Sequence, residues 1–147
     1  MLTLTVVKKE DCDLIYNWAN EPTVRKKSFN SEKITYEEHK KWFDTKLNDE
    51  NCRMYILEID GIKIGQIRVD IENEVAKLSY SIGKEHRGKG NGVIMLTLLE
   101  DKLIDEKVSI IRGLVKHENI ASKKCFEKCG YTKKEEEDYI VYEKIIK

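Results

Sequence analysis

The feature that most constrains the fold is a strand pattern that runs directly into a cluster of glycines. In RMYILEIDGIKIGQIRVDI (53–71), two β-rich runs flank Asp60-Gly61, a dipeptide suited to the two positive φ angles of a type I′ hairpin turn. VAKLSYSIG (75–83) continues as another strand and completes a three-strand antiparallel meander. Arg87-Gly88-Lys89-Gly90-Asn91-Gly92 then crowds three glycines and two cations into six residues. Val93, Leu96, Leu99 and Leu103 follow at helical spacing. A strand, a glycine-rich turn and a helix start, in that order, suit a phosphate. The first amides of a helix lack intrahelical partners and carry the positive end of its dipole, and glycines let oxygens approach them. The cluster lacks the lysine followed by Ser or Thr of a P-loop. Nor does it open a dinucleotide fold, because the preceding strands form a meander instead of a βαβ unit.

At 147 residues the chain reads as a single domain spanning 1–147. Lys+Arg and Asp+Glu balance at 27 each, which argues against an overall pull toward nucleic acid or an anionic membrane. No apolar run nears the roughly 20 residues of a membrane span, and the N-terminus lacks a signal-peptide layout. The expectation is a soluble, cytoplasmic chain without nucleic-acid or membrane partners. Cys12, Cys52, Cys125 and Cys129 form no CxxC pair and no zinc spacing. Cys125 and Cys129, one helical turn apart, read as reduced thiols acting as small hydrophobes, so no metal is expected.

The remaining elements follow from local signals. LTLTVV (2–7) reads as an opening strand. Asp11 or Asp13 caps a short helix carrying Leu14, Ile15 and Trp18, which ends at Asn20-Glu21-Pro22 because proline disfavours a helical residue before it. The stretch from Pro22 to Lys33 reads as irregular or briefly helical. Thr35 with Glu38 fits a capping box, and the helix behind it aligns His39, Trp42, Phe43 and Leu47. VSIIRGLV (108–115) is an apolar strand, ENIASKKCFEKCG (118–130) a helix closed by Gly130, and the C-terminus a hairpin whose second strand is Tyr139 to Ile145. The order is strand, two helices, three strands, helix, strand, helix, two strands. That predicts an α/β (α+β) fold: a mixed, mostly antiparallel sheet of about seven strands with helices on both faces.

Arg87-Gly88-Lys89-Gly90-Asn91-Gly92 resembles the R/Q-x-x-G-x-G/A signature of the GNAT superfamily of N-acetyltransferases, and the element order resembles the GNAT fold along essentially the whole chain. HENIASKKCFEKCGY (117–131) resembles the family segment in which an asparagine leads into a helix ending in Gly-aromatic. The resemblance implies that acetyl-coenzyme A is the cosubstrate. Its pyrophosphate would lie on the amides of Gly88 to Gly92 beside Arg87 and Lys89. Its pantetheine would lie along the main chain of Tyr80 and Ile82, with Asn119, Ser122 and Phe126 nearby. One of those strand amides would polarise the thioester carbonyl. Asn119 reads equally as a helix cap.

Many family members protonate the departing thiolate with a tyrosine where this chain has Phe126. Either Tyr80 or Tyr139 replaces it, or solvent protonates the sulfur. Glu74, on the alternate-residue face of Tyr80, is a candidate base that reads also as a solvated hairpin residue; Asp70 and His39 are weaker candidates. The segments 18–29 and 38–43 resemble a branch containing ribosomal-protein N-terminal acetyltransferases and enzymes acting on nucleotide-linked amino sugars of pseudaminic-acid-type pathways. That implies an acceptor site in which Arg25 meets a phosphate and Trp42 stacks on a ring, with His39 beside it, although His39 also reads as packing and Trp18, Phe29, Trp42 and Phe43 as core. The acceptor expected is the amine of a nucleotide-linked amino sugar, for a monomer or a homodimer. The alternatives are a peptide amine, or a chain that binds acetyl-coenzyme A without catalysis.

Overall fold

The computed structural model describes all residues, 1–147. The elements are β1 (Leu2–Val6), α1 (Cys12–Ala19), α2 (Pro22–Lys27), α3 (Tyr36–Leu47), β2 (Cys52–Ile59), β3 (Ile62–Glu72), β4 (Val75–Ile82), α4 (Asn91–Leu103), β5 (Ile110–Val115), α5 (Ile120–Lys128), β6 (Thr132–Glu135) and β7 (Ile140–Ile145). They build a seven-stranded sheet in the order β1-β2-β3-β4-β5-β7-β6, in which only β4 and β5 run parallel. The predicted class, strand count and final hairpin all hold.

Both meander turns use the left-handed region. Asp60 and Gly61 have φ of 50° and 82°, as their dipeptide predicts, and Asn73 and Glu74 reach 51° and 66° without any glycine. Three helices, not two, separate β1 from β2. Pro22 opens α2 instead of only ending α1, because its fixed φ suits the first helical position, and the Glu21 carboxylate accepts from the Val24 amide at 3.2 Å. Thr35 caps α3 as its motif predicts, accepting from the Glu38 amide at 3.2 Å.

Strand alternation divides the core between the two faces. Tyr55, Leu57, Ile67, Val69, Ala76, Leu78 and Ile111 meet Leu96, Leu99 and Leu103 of α4 and Phe126 of α5. On the other face Met54 and Ile56 join Val7, Ile15 and Phe43, beneath α1 and α3. α5 lies very close to β5: a Cβ on Gly113 would sit 2.5 Å from the tip of the Phe126 ring. That ring is buried and stacks on Tyr142 at 4.9 Å between centroids.

The parallel pairing of β4 with β5 is short. It joins Val75–Leu78 to Ile110–Gly113 and stops. Beyond it β4 continues on β3 as far as Ile82↔Gly65, while β5 continues on β7 as far as Val115↔Ile140. The two strands therefore part at the centre of the sheet.

His39 belongs to the smaller core. It is 2% exposed, its Nε2–H donates to the Cys12 carbonyl at 3.0 Å, and its ring stacks on Phe43 at 5.8 Å. Burial lowers its pKa from the ordinary 6.5, against the smaller raising effects of that hydrogen bond and Asp13. The unfolded chain therefore binds this proton more readily than the folded one, so stability falls as pH drops below about 6.5. Thermal melts from about pH 7.5 to 5 should show that decline, and His39→Gln should flatten its slope.

Candidate active site

The direction of each backbone group in the parted strand follows from pairing. The Gly83 amide donates to the Ile64 carbonyl at 2.8 Å, so in the antiparallel β3–β4 register the odd residues of β4 bond to β3. The even residues point their amides and carbonyls the other way. Past Leu78, where β5 has diverged, the Tyr80 amide thus faces the opening between the strands. The Ile82 carbonyl faces the same side and accepts from Arg87 Nε at 3.0 Å.

The glycine turn stands at the end of this opening. Gly88 and Gly90 have φ of 74° and 81°, in the region glycine occupies without steric penalty. The Asn91 side chain is buried and ties the turn back by donating to the His86 carbonyl at 2.9 Å. The first helical bond of α4 runs from the Ile94 amide to the Gly90 carbonyl. The amides from Gly88 to Val93 have no protein acceptor. Gly92 must be glycine for packing, since a Cβ there would sit 2.7 Å from Cys125 Sγ.

A cavity of about 620 Å³ fills the opening and passes through the sheet. On the side of α4 and α5 its walls include Gly88, Gly90, Gly92, Asn119, Ser122 and Cys125. On the other side they include Val24, Lys27, Phe29, Arg68 and Lys77. Tyr80 joins the two: its hydroxyl lies 3.0 Å from Ser122 Oγ, and its ring meets Phe126 edge-on. Burial, reinforced by Cys125, pushes the Tyr80 phenol well above its ordinary range despite the Ser122 hydrogen bond, so it keeps its proton. Asn119 both lines the cavity and caps α5, accepting from the Ser122 amide at 3.3 Å.

The predicted residues divide sharply. Tyr80, Ile82, Arg87, Gly88, Gly90, Asn91, Gly92, Asn119, Ser122 and Phe126 all border the cavity. The Lys89 side chain does not; it is exposed on the outside of the turn. Arg87 is largely committed, since besides Ile82 it holds Glu21 Oε2 at 2.9 Å.

Besides Lys89, four predicted residues are not brought to the cavity. Glu74 sits in the β3–β4 turn, where its carboxylate accepts from Ser109 Oγ at 2.9 Å. Strand alternation does not extend to Glu74, which precedes β4 in the turn with a positive φ, and six residues of extended strand would place it about 20 Å from Tyr80. Arg25 is a staple, not a free cation. Its guanidinium donates to the carbonyls of Ala19, Asn30 and Glu32 and to Ser28 Oγ, fixing the chain between α1 and α3. His39 is the core residue described above. Trp42 stands one layer back, beneath the Arg68 guanidinium at 5.1 Å. Conversely, Lys27, Arg68 and Lys77 reach the cavity without having been singled out. The signal for Lys77 was available, because it precedes Leu78 on the strand whose main chain the motif had marked.

Comparison with known proteins agrees with this fold. The acetyltransferase (GNAT) domain family matches residues 1–132. Among solved structures, the spermidine N-acetyltransferase of Vibrio cholerae, in complex with CoA and spermine, superposes with a TM-score of 0.86 at 20% identity, covering 98% of this chain and 95% of that one. RimL, a ribosomal L7/L12 alpha-N-protein acetyltransferase in complex with coenzyme A, gives 0.85 at 15% identity over 98% and 93%. AAC(6')-Ib in complex with ribostamycin and coenzyme A gives 0.82 at 20% over 95% and 92%. No curated protein matches by sequence.

Unpartnered amides at the turn make one outcome specific. Acetyl-coenzyme A should raise the melting temperature of the protein by mass action on the folded state, and Gly90→Glu should abolish the rise. A Cβ at Gly90 meets no atom within 4 Å, so Gly90→Asn, which tolerates positive φ and adds no charge, should retain a larger share of it.

Proposed function

This chain belongs to the GNAT acetyltransferase family and is an acetyl-coenzyme A-dependent N-acetyltransferase, and we propose that its acceptor is the amine of an anionic small molecule, a nucleotide-linked amino sugar. The charge of the cavity carries that reading. Its lining holds Lys27, Arg68, Lys77, Arg87, Lys124 and Lys128 and no aspartate or glutamate, in a chain whose charges otherwise balance. The two arginines are paired, with Glu21 and Asp70, so the excess charge rests on Lys27, Lys77, Lys124 and Lys128, none of which has an ion-pair partner. A polycation such as the spermine or ribostamycin held by the structural neighbours would meet repulsion here, whereas a phosphate-bearing amine would be drawn in.

The residues present fit the cosubstrate. Acetyl-coenzyme A supplies an activated thioester, and the free amides of Gly88 to Val93 offer its diphosphate a ring of donors at the positive end of α4. The Tyr80 amide, turned into the strand opening, is the donor available to a thioester carbonyl oxygen as charge develops there. The Tyr80 hydroxyl takes the part that Phe126 cannot. Phe126 has no polar atom and its ring tip is pressed against the Gly113 backbone. Because the Tyr80 phenol holds its proton tightly, it steadies the departing thiolate by a hydrogen bond, and solvent, which receives the amine's proton, supplies the one that the sulfur finally takes. Ser122 Oγ orients the hydroxyl.

No carboxylate is positioned to deprotonate the amine, and the same cations remove the need for one. Positive charge disfavours the ammonium form. An acceptor amine that reaches the strand opening meets no carboxylate there to hold it as ammonium, and loses its proton to solvent through the open end of the cavity.

Free-thiol release from acetyl-coenzyme A decides the acceptor. UDP-linked amino sugars should support release, and spermine, aminoglycosides and N-terminal peptides should not. Release with peptides or polyamines alone would overturn the proposed acceptor. With a productive acceptor, Tyr80→Phe should lower kcat about 100-fold while leaving the thermal shift with acetyl-coenzyme A in place.

A further inference from the structure

The face of the sheet that carries the acceptor side of the cavity is only partly covered. α1 and α3 pack over the β1–β4 half. Over β5, β7 and β6 the same face bears a second hollow of about 460 Å³, lined by residues including Lys77, Arg112, Leu114, Lys134, Tyr139 and Val141. Lys77 and Leu114 line both hollows, so the second continues the first.

Strand register orders this surface into rows. Lys77 on β4 lies beside Arg112 on β5, Arg112 opposite Glu143 on β7, and Glu143 opposite Thr132 on β6. The next row on this face sets Leu114 opposite Val141, and Val141 opposite Lys134. Lys77 and Arg112 are thus like charges side by side, an arrangement that costs stability unless an anion answers it. Glu143 is taken by Arg112 at 2.5 Å. Asp70, opposite Lys77 on β3, already accepts from Lys46 at 2.8 Å and Arg68 at 3.1 Å. Lys77 has no ion-pair partner, and neither does Lys27 across the cavity mouth. Of the other charges lining this hollow, Lys134 lies 3.7 Å from Glu136, and Lys133 lies 3.8 Å from Glu127.

Beside this uncompensated charge stand two aromatic rings. Phe29, 55% exposed although the chain has few aromatics to spare for its surface, meets Tyr139 edge-on at 6.1 Å. Phe29 lines the first hollow and Tyr139 the second. An exposed Phe29 and a half-buried Tyr139, on hollows that also hold the unpaired Lys77 and an apolar floor of Leu114 and Val141, have the chemistry of a nucleotide site: charge for phosphate, and a ring for the base to stack on. From Lys77 to Thr132 the row crosses three strand spacings, about 14 Å, which gives an elongated ligand a path along the sheet.

We propose that this open face is a nucleotide subsite: Lys77, with Lys27, pairs with the phosphates of the acceptor, and the Phe29–Tyr139 pair stacks on its base, so that the attached sugar amine projects through the strand opening toward the Tyr80 amide. The assignment rests on the nucleotide-linked amino-sugar reading above. It transfers to Lys77 and Tyr139 the roles first expected of Arg25 and Trp42, both of which the fold uses elsewhere.

UDP alone is the probe. By calorimetry it should bind the wild-type protein, and saturating acetyl-coenzyme A should not displace it. Lys77→Glu and Tyr139→Ala should each weaken it at least 10-fold, while both variants keep the wild-type thermal shift with acetyl-coenzyme A. In turnover the same variants should raise KM for a UDP-linked amino sugar by a similar factor. UDP binding that these substitutions weaken, in a protein that acetylates no sugar amine, would support the subsite and overturn the amino-sugar acceptor. Absence of UDP binding, displacement by acetyl-coenzyme A, or affinity unchanged in both folded variants would overturn the subsite.

Discussion

The parting of β4 from β5 is the constraint on which the rest of the structure depends. Four residues of parallel pairing hold the two halves of the sheet together, and the pairing stops at Leu78 and Gly113. Had it continued, the Tyr80 amide and the Ile82 carbonyl would have been used up in a ladder bond, and no cavity would cross the sheet. Because it stops, main-chain groups that cannot be altered by substitution are left at the centre of the molecule, facing a channel with helix α4 at one end. The amides of the glycine turn then complete a row of donors that no protein group occupies. An unpaired backbone donor carries a cost in a buried place, so a row of them at an open cavity marks where a ligand supplies the acceptors.

The segment between β1 and β2 turns that channel into a two-sided site. Arg25 draws the carbonyls of Ala19, Asn30 and Glu32 onto one guanidinium, so α2 and its flanks are held without a core of their own. Glu21 does two things at once, capping α2 and gripping Arg87 beside the glycine turn. Burial tends to raise its carboxyl pKa, but the Arg87 hydrogen bond, the Val24 amide and the Arg87 charge together hold it below the ordinary carboxylate value. The helix that presents Val24 and Lys27 to the acceptor side is in this way tied directly to the turn on the cosubstrate side.

In the proposed function, charge is what selects among acceptors that the fold alone would admit. The structural neighbours share the architecture at 15 to 20% identity, and the small molecules bound in them range from spermine to an aminoglycoside. This chain has the same number of acidic and basic residues overall, yet only basic ones face its cavity. Net charge hides that asymmetry, since the acids are spent on the outer surface and on capping roles. The same asymmetry bears on chemistry. A cation-lined cavity favours the neutral amine, which lets a site without Glu74 or any other carboxylate base still present a nucleophile.

Sequence reading succeeded wherever chemistry is local. Asp60-Gly61 dictates a type I′ turn because of its own φ preferences, Thr35 caps α3 because the Glu38 amide stands three residues on, and the glycine turn announces free amides before any fold is known. It failed wherever a role depended on what stands across space. Glu74 was read onto the strand face of Tyr80 when it stands in the turn before β4, Arg25 was read as available when three carbonyls claim it, and His39 and Trp42 were read as acceptor residues when packing had taken them inward or a layer back. By itself the sequence determined the turns, the caps, the alternating faces and the glycine turn with its free amides, because each is settled by torsional preference and short-range hydrogen bonding. Only the tertiary structure decided which cations remain unpaired, which tyrosine faces the opening and where the strands part, because those depend on register and competition among residues far apart in the chain.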